Sequence, residues 1–328
     1  MNRLERLCVH PTAGDLSAYV KDFQCLGQTL RRLRIANRSN LVPIILPMIG
    51  NLTHLELFSS WGGADEPSLF KTVLGNGERI ESLRLVGCPM QTHSIYFRKY
   101  PRSLPRLRDF GLHIRHGPRA VIDPDLFPSI CDFLRDRPLL DLLELTAHAR
   151  EIDQKMFGFD VRVWEFISSL ENLHTLSANL LNAIPHQKMV ELIPRSVKTL
   201  TLPPCGVWYL EQLLQKVRYL PLFSTLAEAE ISQGQWPDNV RFFGYAEHIE
   251  RSAGTLAFAK KIATSIPSVR VVRLAHDYFS VVSREDGKPV RMDQWSTRTA
   301  QVFRREYLEK CGSEEHEYLD LDHDGIMA

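Results

Sequence analysis

One eleven-residue unit restricts the fold of this chain more than any other: Ile80-Glu81-Ser82-Leu83-Arg84-Leu85-Val86-Gly87-Cys88-Pro89-Met90. Apolar side chains fall at positions 1, 4, 6 and 11 of the unit, and Cys88 stands at position 9. Leu83 and Leu85 are two residues apart, so in a strand both leave the backbone on one face. Ile80, Cys88 and Met90 close the turn around them. A single unit of this kind cannot bury its apolar face alone, so like units must stack on either side of it.

The pattern recurs. Its first six residues align as Leu4 to Val9, Leu30 to Ile35, Leu52 to Leu57, Ile80 to Leu85, Leu107 to Leu112, Leu140 to Leu145, Leu173 to Ala178 and Val197 to Leu202. Val269 to Leu274 fits again after a gap in which Phe223 to Ala229 is a weak copy. The copies begin at residues 4, 30, 52, 80, 107, 140, 173 and 197, mostly in or near the ~20–29 residue period of leucine-rich repeats. One such match arises by chance in many helix-rich chains; eight in near-regular order do not. The expected fold is therefore α/β: a leucine-rich-repeat solenoid, or horseshoe, of about 9–10 irregular repeats, with short parallel strands on the concave face and helices on the convex face.

Helices are expected between the strands. Residues 15–26, 66–74, 125–135, 161–170, 186–192 and 207–219 carry apolar side chains at helical spacing. Pro43 and Pro47 make residues 41–49 an irregular connector. Beyond Leu202 the pattern loosens. Residues 237–266 read mainly as helix, and Asp286-Gly287 between two β-type runs signals a hairpin. Residues 294–310 read as a long helix. The expected organisation is a solenoid over 1–274, a hairpin-plus-helix cap over 275–311 and an acidic solvated tail over 312–328, because a solenoid must cover its last core face. The first strand begins almost at Met1 with no helix before it, which predicts either a longer parent protein or a partner over residues 4–9.

The bulk properties exclude several classes. With 40 Lys+Arg against 39 Asp+Glu the formal charge is +1, which gives no electrostatic case for nucleic acid. The longest apolar run, residues 41–49, is about half of the ~20 residues a membrane span needs, so no membrane partner is expected. The N-terminus lacks a signal peptide's apolar core. Six scattered cysteines without a C-x-x-C read as reduced thiols, which places the protein in the cytoplasm or nucleus.

No motif carries chemistry. Gly75-Asn76-Gly77 begins like a phosphate loop, but it lacks the third glycine and precedes a strand, so a helix end with a turn is expected. Asp320 to Gly325 matches the first half of a calcium loop whose position-12 ligand does not exist. His113 and His116 lack a third zinc ligand, and Cys8 and His10 lack an orienting partner. No cofactor, metal site or catalytic residue is expected, and the chain is read as a non-enzyme. A leucine-rich-repeat GTPase activator is the remote catalytic alternative.

Strand geometry supplies better candidates. Positions 3, 5 and 7 of each repeat leave the sheet opposite to positions 4 and 6. The resulting candidate face holds Arg32, Arg34, His54, Glu56, Phe58, Arg84, His113 and Glu144, with Trp61 just beyond. Arg and aromatic side chains are favoured interface anchors, so the expected partner is an acidic or mixed-charge protein segment. A solvated sheet face without a partner is the bland alternative. On this reading Leu83→Asp unfolds neighbouring repeats, whereas Arg84→Ala alters binding alone.

Irregular repeats with Cys at position 9 in residues 80–90 and again at Cys205 resemble those of F-box proteins. The loose spacing, Pro-rich connectors and decayed later repeats look most like the F-box/leucine-rich-repeat-like proteins of fungi. The resemblance covers roughly residues 1–274. It implies that the repeats present substrates to a ubiquitin ligase whose F-box segment binds the Skp1 adaptor. Here no F-box segment precedes Leu4 and no L-P-x-E start occurs elsewhere, so a Skp1-type adaptor is a partner only of a longer form. Position 9 is Ser60 and Leu181 in other repeats. The alternative is a stand-alone repeat scaffold with no ligase role.

Overall fold

The structure, a computed structural model, describes residues 4–9, 21, 25–37, 42–59, 66–87, 92–115, 123–148, 156–179, 186–197, 199–201, 220–221, 242–245, 254–274, 277–286, 288–296 and 299. The chain divides into two compact units, Met1–Asn172 with Leu180–Ile184, and Leu173–Asn179 with Pro185–Ala328.

In the first unit six strands appear where the apolar pattern places them: β1 (Arg6–Val9), β2 (Arg32–Asn37), β3 (His54–Ser59), β4 (Ser82–Gly87), β5 (Asp109–Arg115) and β6 (Leu142–His148). Neighbours pair parallel, in chain order, and equivalent repeat positions face each other: Leu33, Leu55, Leu83, Phe110 and Leu143 form one register row. Parallel neighbours require a crossover between them, so each strand is followed by a return segment. Those returns include α1 (Val42–Ile45), α2 (Glu66–Asn76), α3 (Thr92–Lys99) and α4 (Leu126–Leu134), with α5 (Val161–Ser168) following β6.

A main-chain ladder fixes the register before each strand begins. The N–H groups of Arg31 and Arg32 both donate to the Glu5 carbonyl, and those of Thr53 and His54 to Arg31. Glu81 and Ser82 donate to Thr53, Arg108 and Asp109 to Glu81, and Asp141 and Leu142 to Arg108. Each repeat thus hangs from position 2 of the one before. A tight turn enters each strand: Leu52 N–H donates to Ile49, Ile80 to Gly77, Leu107 to Leu104 and Leu140 to Arg137. This makes the third residue before position 1 part of the repeat. Gly77 is required there, because a Cβ would lie 2.6 Å from Ile80 Cδ1 and 2.8 Å from Leu104 Cδ2.

The core lies between sheet and returns. Leu30, Leu52, Ile80, Leu107 and Leu140 at position 1 are buried, as are the position 4 and 6 residues of β2 to β6. From the helices come Leu69, Phe70, Phe97, Phe127, Phe133 and Trp164. Phe97 is the hub of an aromatic cluster, with ring centroids 5.0 Å from Phe70, 4.9 Å from Phe133 and 6.0 Å from Phe110. Such pairs each contribute about 0.5–1.5 kcal/mol beyond burial. The residue pattern predicts no helix at α3. Its buried face includes His93 and Ser94, polar residues that hide the helical period.

In the second unit β7 (Thr175–Asn179) pairs parallel with β8 (Thr199–Thr201), and α6 (His186–Leu192) lies between them in sequence. Five further strands form a sheet in the order β13-β12-β11-β10-β9: β9 (Leu220–Pro221), β10 (Phe242–Tyr245), β11 (Val271–Leu274), β12 (Asp277–Glu285) and β13 (Lys288–Gln294). The expected helix over 237–266 is corrected in part. Phe242–Tyr245 is a strand paired parallel with Val271–Leu274, and only α7 (Gly254–Ser265) is helical among the described residues. Adjacent aromatics suit a pleated sheet, and a neighbouring strand decides between two periods that this short run fits equally. The expected hairpin forms: β12 and β13 pair antiparallel, with Glu285 opposite Lys288. Arg284 holds it to the end of α7, donating to the carbonyls of Ala263 at 2.7 Å and Val269 at 2.8 Å. β13 runs through Gln294, so the helix expected from that residue does not start there. Most of 294–310, the tail 312–328, the helix expected over 207–219, Trp61, Cys88 and His116 lie outside the described residues.

Candidate protein-binding face

Positions 3, 5 and 7 of β2 to β6 make three register rows across the sheet face opposite to the leucines. Arg32, His54, Ser82, Asp109 and Leu142 form the first. Arg34, Glu56, Arg84, Gly111 and Glu144 form the second, and Ala36, Phe58, Val86, His113 and Thr146 the third. The eight candidate residues therefore do share one face. Their environments differ.

On β2 and β3 the face is partly open. Arg32 is exposed, and Arg34, His54, Glu56 and Phe58 are intermediate. Arg34 Nε lies 3.7 Å from Glu56 Oε2, and its guanidinium sits 4.8 Å from the centre of the Phe58 ring. The cation is thereby held between a carboxylate on the neighbouring strand and a π face. His54 Nδ1 lies 2.9 Å from the Thr53 hydroxyl, which itself donates to the Arg31 carbonyl at 3.1 Å. One hydroxyl proton serves one acceptor, so the imidazole Nδ1 carries the proton in this contact.

From β4 to β6 the face closes: Arg84, Val86 and Asp109 are still intermediate, whereas Leu142, Glu144 and Thr146 are buried. Glu144 is fully buried and His113 nearly so. Arg84 Nη2 donates to Glu144 Oε1 at 3.2 Å, across β5. The reach is possible because β5 carries Gly111 at that register position: a Cβ there would lie 2.9 Å from Glu144 Oε2 and 3.0 Å from Arg84 Cγ. His113 Nε2 lies 3.1 Å from Glu144 Oε2, and Nδ1 lies 2.6 Å from the Thr146 hydroxyl. An ionised Glu144 only accepts, so Nε2 donates to it. Burial pushes the Glu144 carboxyl up, but the Arg84 charge and the His113 hydrogen bond and charge outweigh it and hold the group below its ordinary value.

Glu144 and His113, expected to face a partner, are thus internal partners of Arg84. The repeat positions place all three on one face together with Gly111 and Thr146, which shape the network but are not among the candidate binding residues. A glycine at position 5 of one strand, flanked at the same register by Arg and Glu, is the signal that finds it. Among the described residues no three His, Cys, Asp or Glu side chains converge to hold a metal ion. No described helix is long and apolar enough to cross a membrane.

Parallel strands one per repeat, equivalent positions in register and return helices against one side define an α/β fold of leucine-rich-repeat type. No protein-family profile matches the sequence, and no curated protein matches it. Among solved structures the chain is similar to the leucine-rich-repeat-containing protein LegL7 from Legionella pneumophila. That likeness has a TM-score of 0.51 at 12% identity and covers 81% of this chain and 89% of LegL7. At that identity it is a likeness of fold.

Proposed function

We propose that the chain is a protein-interaction module whose β2–β3 face recognises a protein segment, in the manner of the substrate-presenting repeats of F-box ubiquitin-ligase receptors. The observation that carries the reading is the half-open patch of Arg32, Arg34, His54, Glu56 and Phe58 on two adjacent strands, set on a closed core. A guanidinium stacked on an aromatic ring is already ordered, so little side-chain entropy is lost when a partner covers it. The face carries both signs of charge, which suits a mixed-charge segment. The reading assigns no catalytic step, cofactor or metal, and places the protein in the cytoplasm or nucleus. A Skp1-type adaptor enters only where an F-box segment is joined to these repeats.

The test compares the natural full-length product with its Arg32→Glu/Phe58→Ala variant. The expected result is loss of a stoichiometric partner and of that partner's ubiquitination, with unchanged circular dichroism. Truncating an anchor of this type costs about 2 kcal/mol, roughly 30-fold in affinity. Retention of every partner by the double variant overturns the reading. Retention of a partner that is never ubiquitinated leaves the scaffold and removes the ligase role.

A further inference from the structure

A second surface lies at the rim where the strands of the first unit begin. Residues 98–108, Arg-Lys-Tyr-Pro-Arg-Ser-Leu-Pro-Arg-Leu-Arg, hold five basic residues and no acidic one. Two successive turns organise the segment. Ser103 N–H donates to the Tyr100 carbonyl at 3.1 Å, and Leu107 N–H to the Leu104 carbonyl at 3.1 Å. Each turn has Pro at its second position, Pro101 and Pro105, where the ring fixes the backbone angle that a turn requires. Each has Arg at its third, Arg102 and Arg106, and both side chains are exposed. Four residues separate the two corners, so they stand at most about 14 Å apart.

The turns are clamped from below. Arg137, only partly exposed, lies over the Phe133 ring at 4.0 Å. It donates to the carbonyls of Leu104 at 2.6 Å and Ser103 at 2.6 Å, and more weakly to Pro101 at 3.3 Å. A cation without a carboxylate partner among these contacts thus fixes the main chain of the basic segment. Two more exposed cations flank the corners. Lys99 ends α3, near the Tyr100 ring, and Arg79 occupies the matching corner of the preceding entry turn, where it meets the neutral Asn51 side chain at 3.4 Å. Arg98 is different, because Asp125 and Asp132 neutralise it.

We propose that the tandem Pro-Arg turns, with Lys99 and Arg79, form a docking surface for an acidic, extended protein segment. Exposed cations on a clamped loop bind anions without the cost of ordering the loop. A polypeptide is favoured over nucleic acid because the basic rim is short and interrupted by Glu78 and Glu81, whereas a phosphate backbone rewards a continuous positive track. The surface shares no residue with the β2–β3 face.

The test uses the whole chain and a fluorescein-labelled twelve-residue Glu-Ser repeat peptide, read by anisotropy at low salt. Arg102→Glu/Arg106→Glu should weaken peptide binding at least tenfold, and Arg102→Lys/Arg106→Lys should retain most of it. Arg137→Gln, which loosens the clamp and leaves the exposed charges in place, should weaken it severalfold. Equal affinity of wild type and the Glu variant overturns the proposal. So does an oligouridine of the same length that binds at least tenfold more tightly than the peptide. Arg32→Glu/Phe58→Ala leaves this binding unchanged, so failure of the rim and failure of the sheet face are distinguishable.

Discussion

Arg84→Ala separates a solvated sheet face from an internal strut. On a solvated face the change alters a surface charge and stability stays within a few tenths of a kcal/mol. In the structure Arg84 is 14% exposed and its partner Glu144 is 0% exposed. Removing one member of a buried pair costs about 3–5 kcal/mol, because the other charge is left uncompensated. Two features place Arg84→Ala at the low end. Water reaches the Arg84 side of the pair, and His113 still donates to Glu144. The expected loss is about 3 kcal/mol, which for a unit of this size lowers the melting temperature by roughly 6–12 °C.

The pH dependence supplies a sharper test than the magnitude. In the wild type the folded Glu144 carboxyl lies below its ordinary 4.5. Its contribution to stability is therefore present above about pH 4.5 and lost as pH falls through the folded value. Burial is the largest single influence on Glu144 and acts upward. Without the Arg84 charge only His113 opposes it, so the folded value rises. A raised carboxyl contributes stability that is present at low pH and lost as pH increases. Urea unfolding followed by circular dichroism at several values between pH 4 and 7 should show the gap between the two proteins widening with pH. Equal midpoints at pH 7, or a gap that is constant across the range, would falsify the strut.

Three further changes test the packing. Gly77→Ala should cost more than 1 kcal/mol, because its Cβ meets Val73 O and Ile80 Cδ1 at 2.6 Å each; a thermal melt like the wild type's refutes the required glycine. His93, edge-on to Phe70 at 4.7 Å, is lowered by burial from 6.5 to about 4, so stability falls as pH drops through that interval, by about 3 kcal/mol in all. His93→Leu should flatten that slope in urea titrations at pH 4.5 and 7, and an unchanged slope assigns it elsewhere. Leu83→Asp, at a side chain with 0% exposure, should exceed every other change in the first unit, and near-native melting would sink the strand assignment.

The strands of the first unit were legible because their cause is local. Two leucines at positions 4 and 6 select a face, and one selects an entry turn, whatever lies elsewhere in the chain. The helix Thr92–Lys99 was not legible, because part of its inward face is His93 and Ser94 and the helical period cannot be read from apolar residues. Phe242–Tyr245 fits a helical or an extended period equally, and its neighbour Val271–Leu274 decides. The Arg84–Glu144 pair spans 60 residues and skips a strand. No local rule joins those two residues; the join depends on the absence of a side chain at Gly111. The candidate face was therefore legible as a set of positions and not as a set of exposures.

The second register row gives the proposed face a way to bind without bulk electrostatics. Its charged members alternate as Arg34, Glu56, Arg84 and, past Gly111, Glu144, and they cancel. Arg34 and Glu56 are each 17% exposed, and partly buried pairs are screened far less than pairs in open solvent. On the proposed reading a partner on β2 and β3 is held mainly by the Arg34–Phe58 stack, with the exposed Arg32 adding a screened contribution, so its affinity should change less with salt than binding at the rim. The rim cations Arg102 and Arg106 are exposed and lie within reach of mobile ions, whose screening length is about 10 Å at 0.1 M salt. Binding there must weaken steeply as salt rises. A titration of full-length protein from 50 to about 500 mM salt, with the acidic peptide and the captured partner followed separately, should lose the first and keep the second. Parallel loss of both would mean that the sheet face attracts its partner by net charge, contrary to the cancellation along its central row.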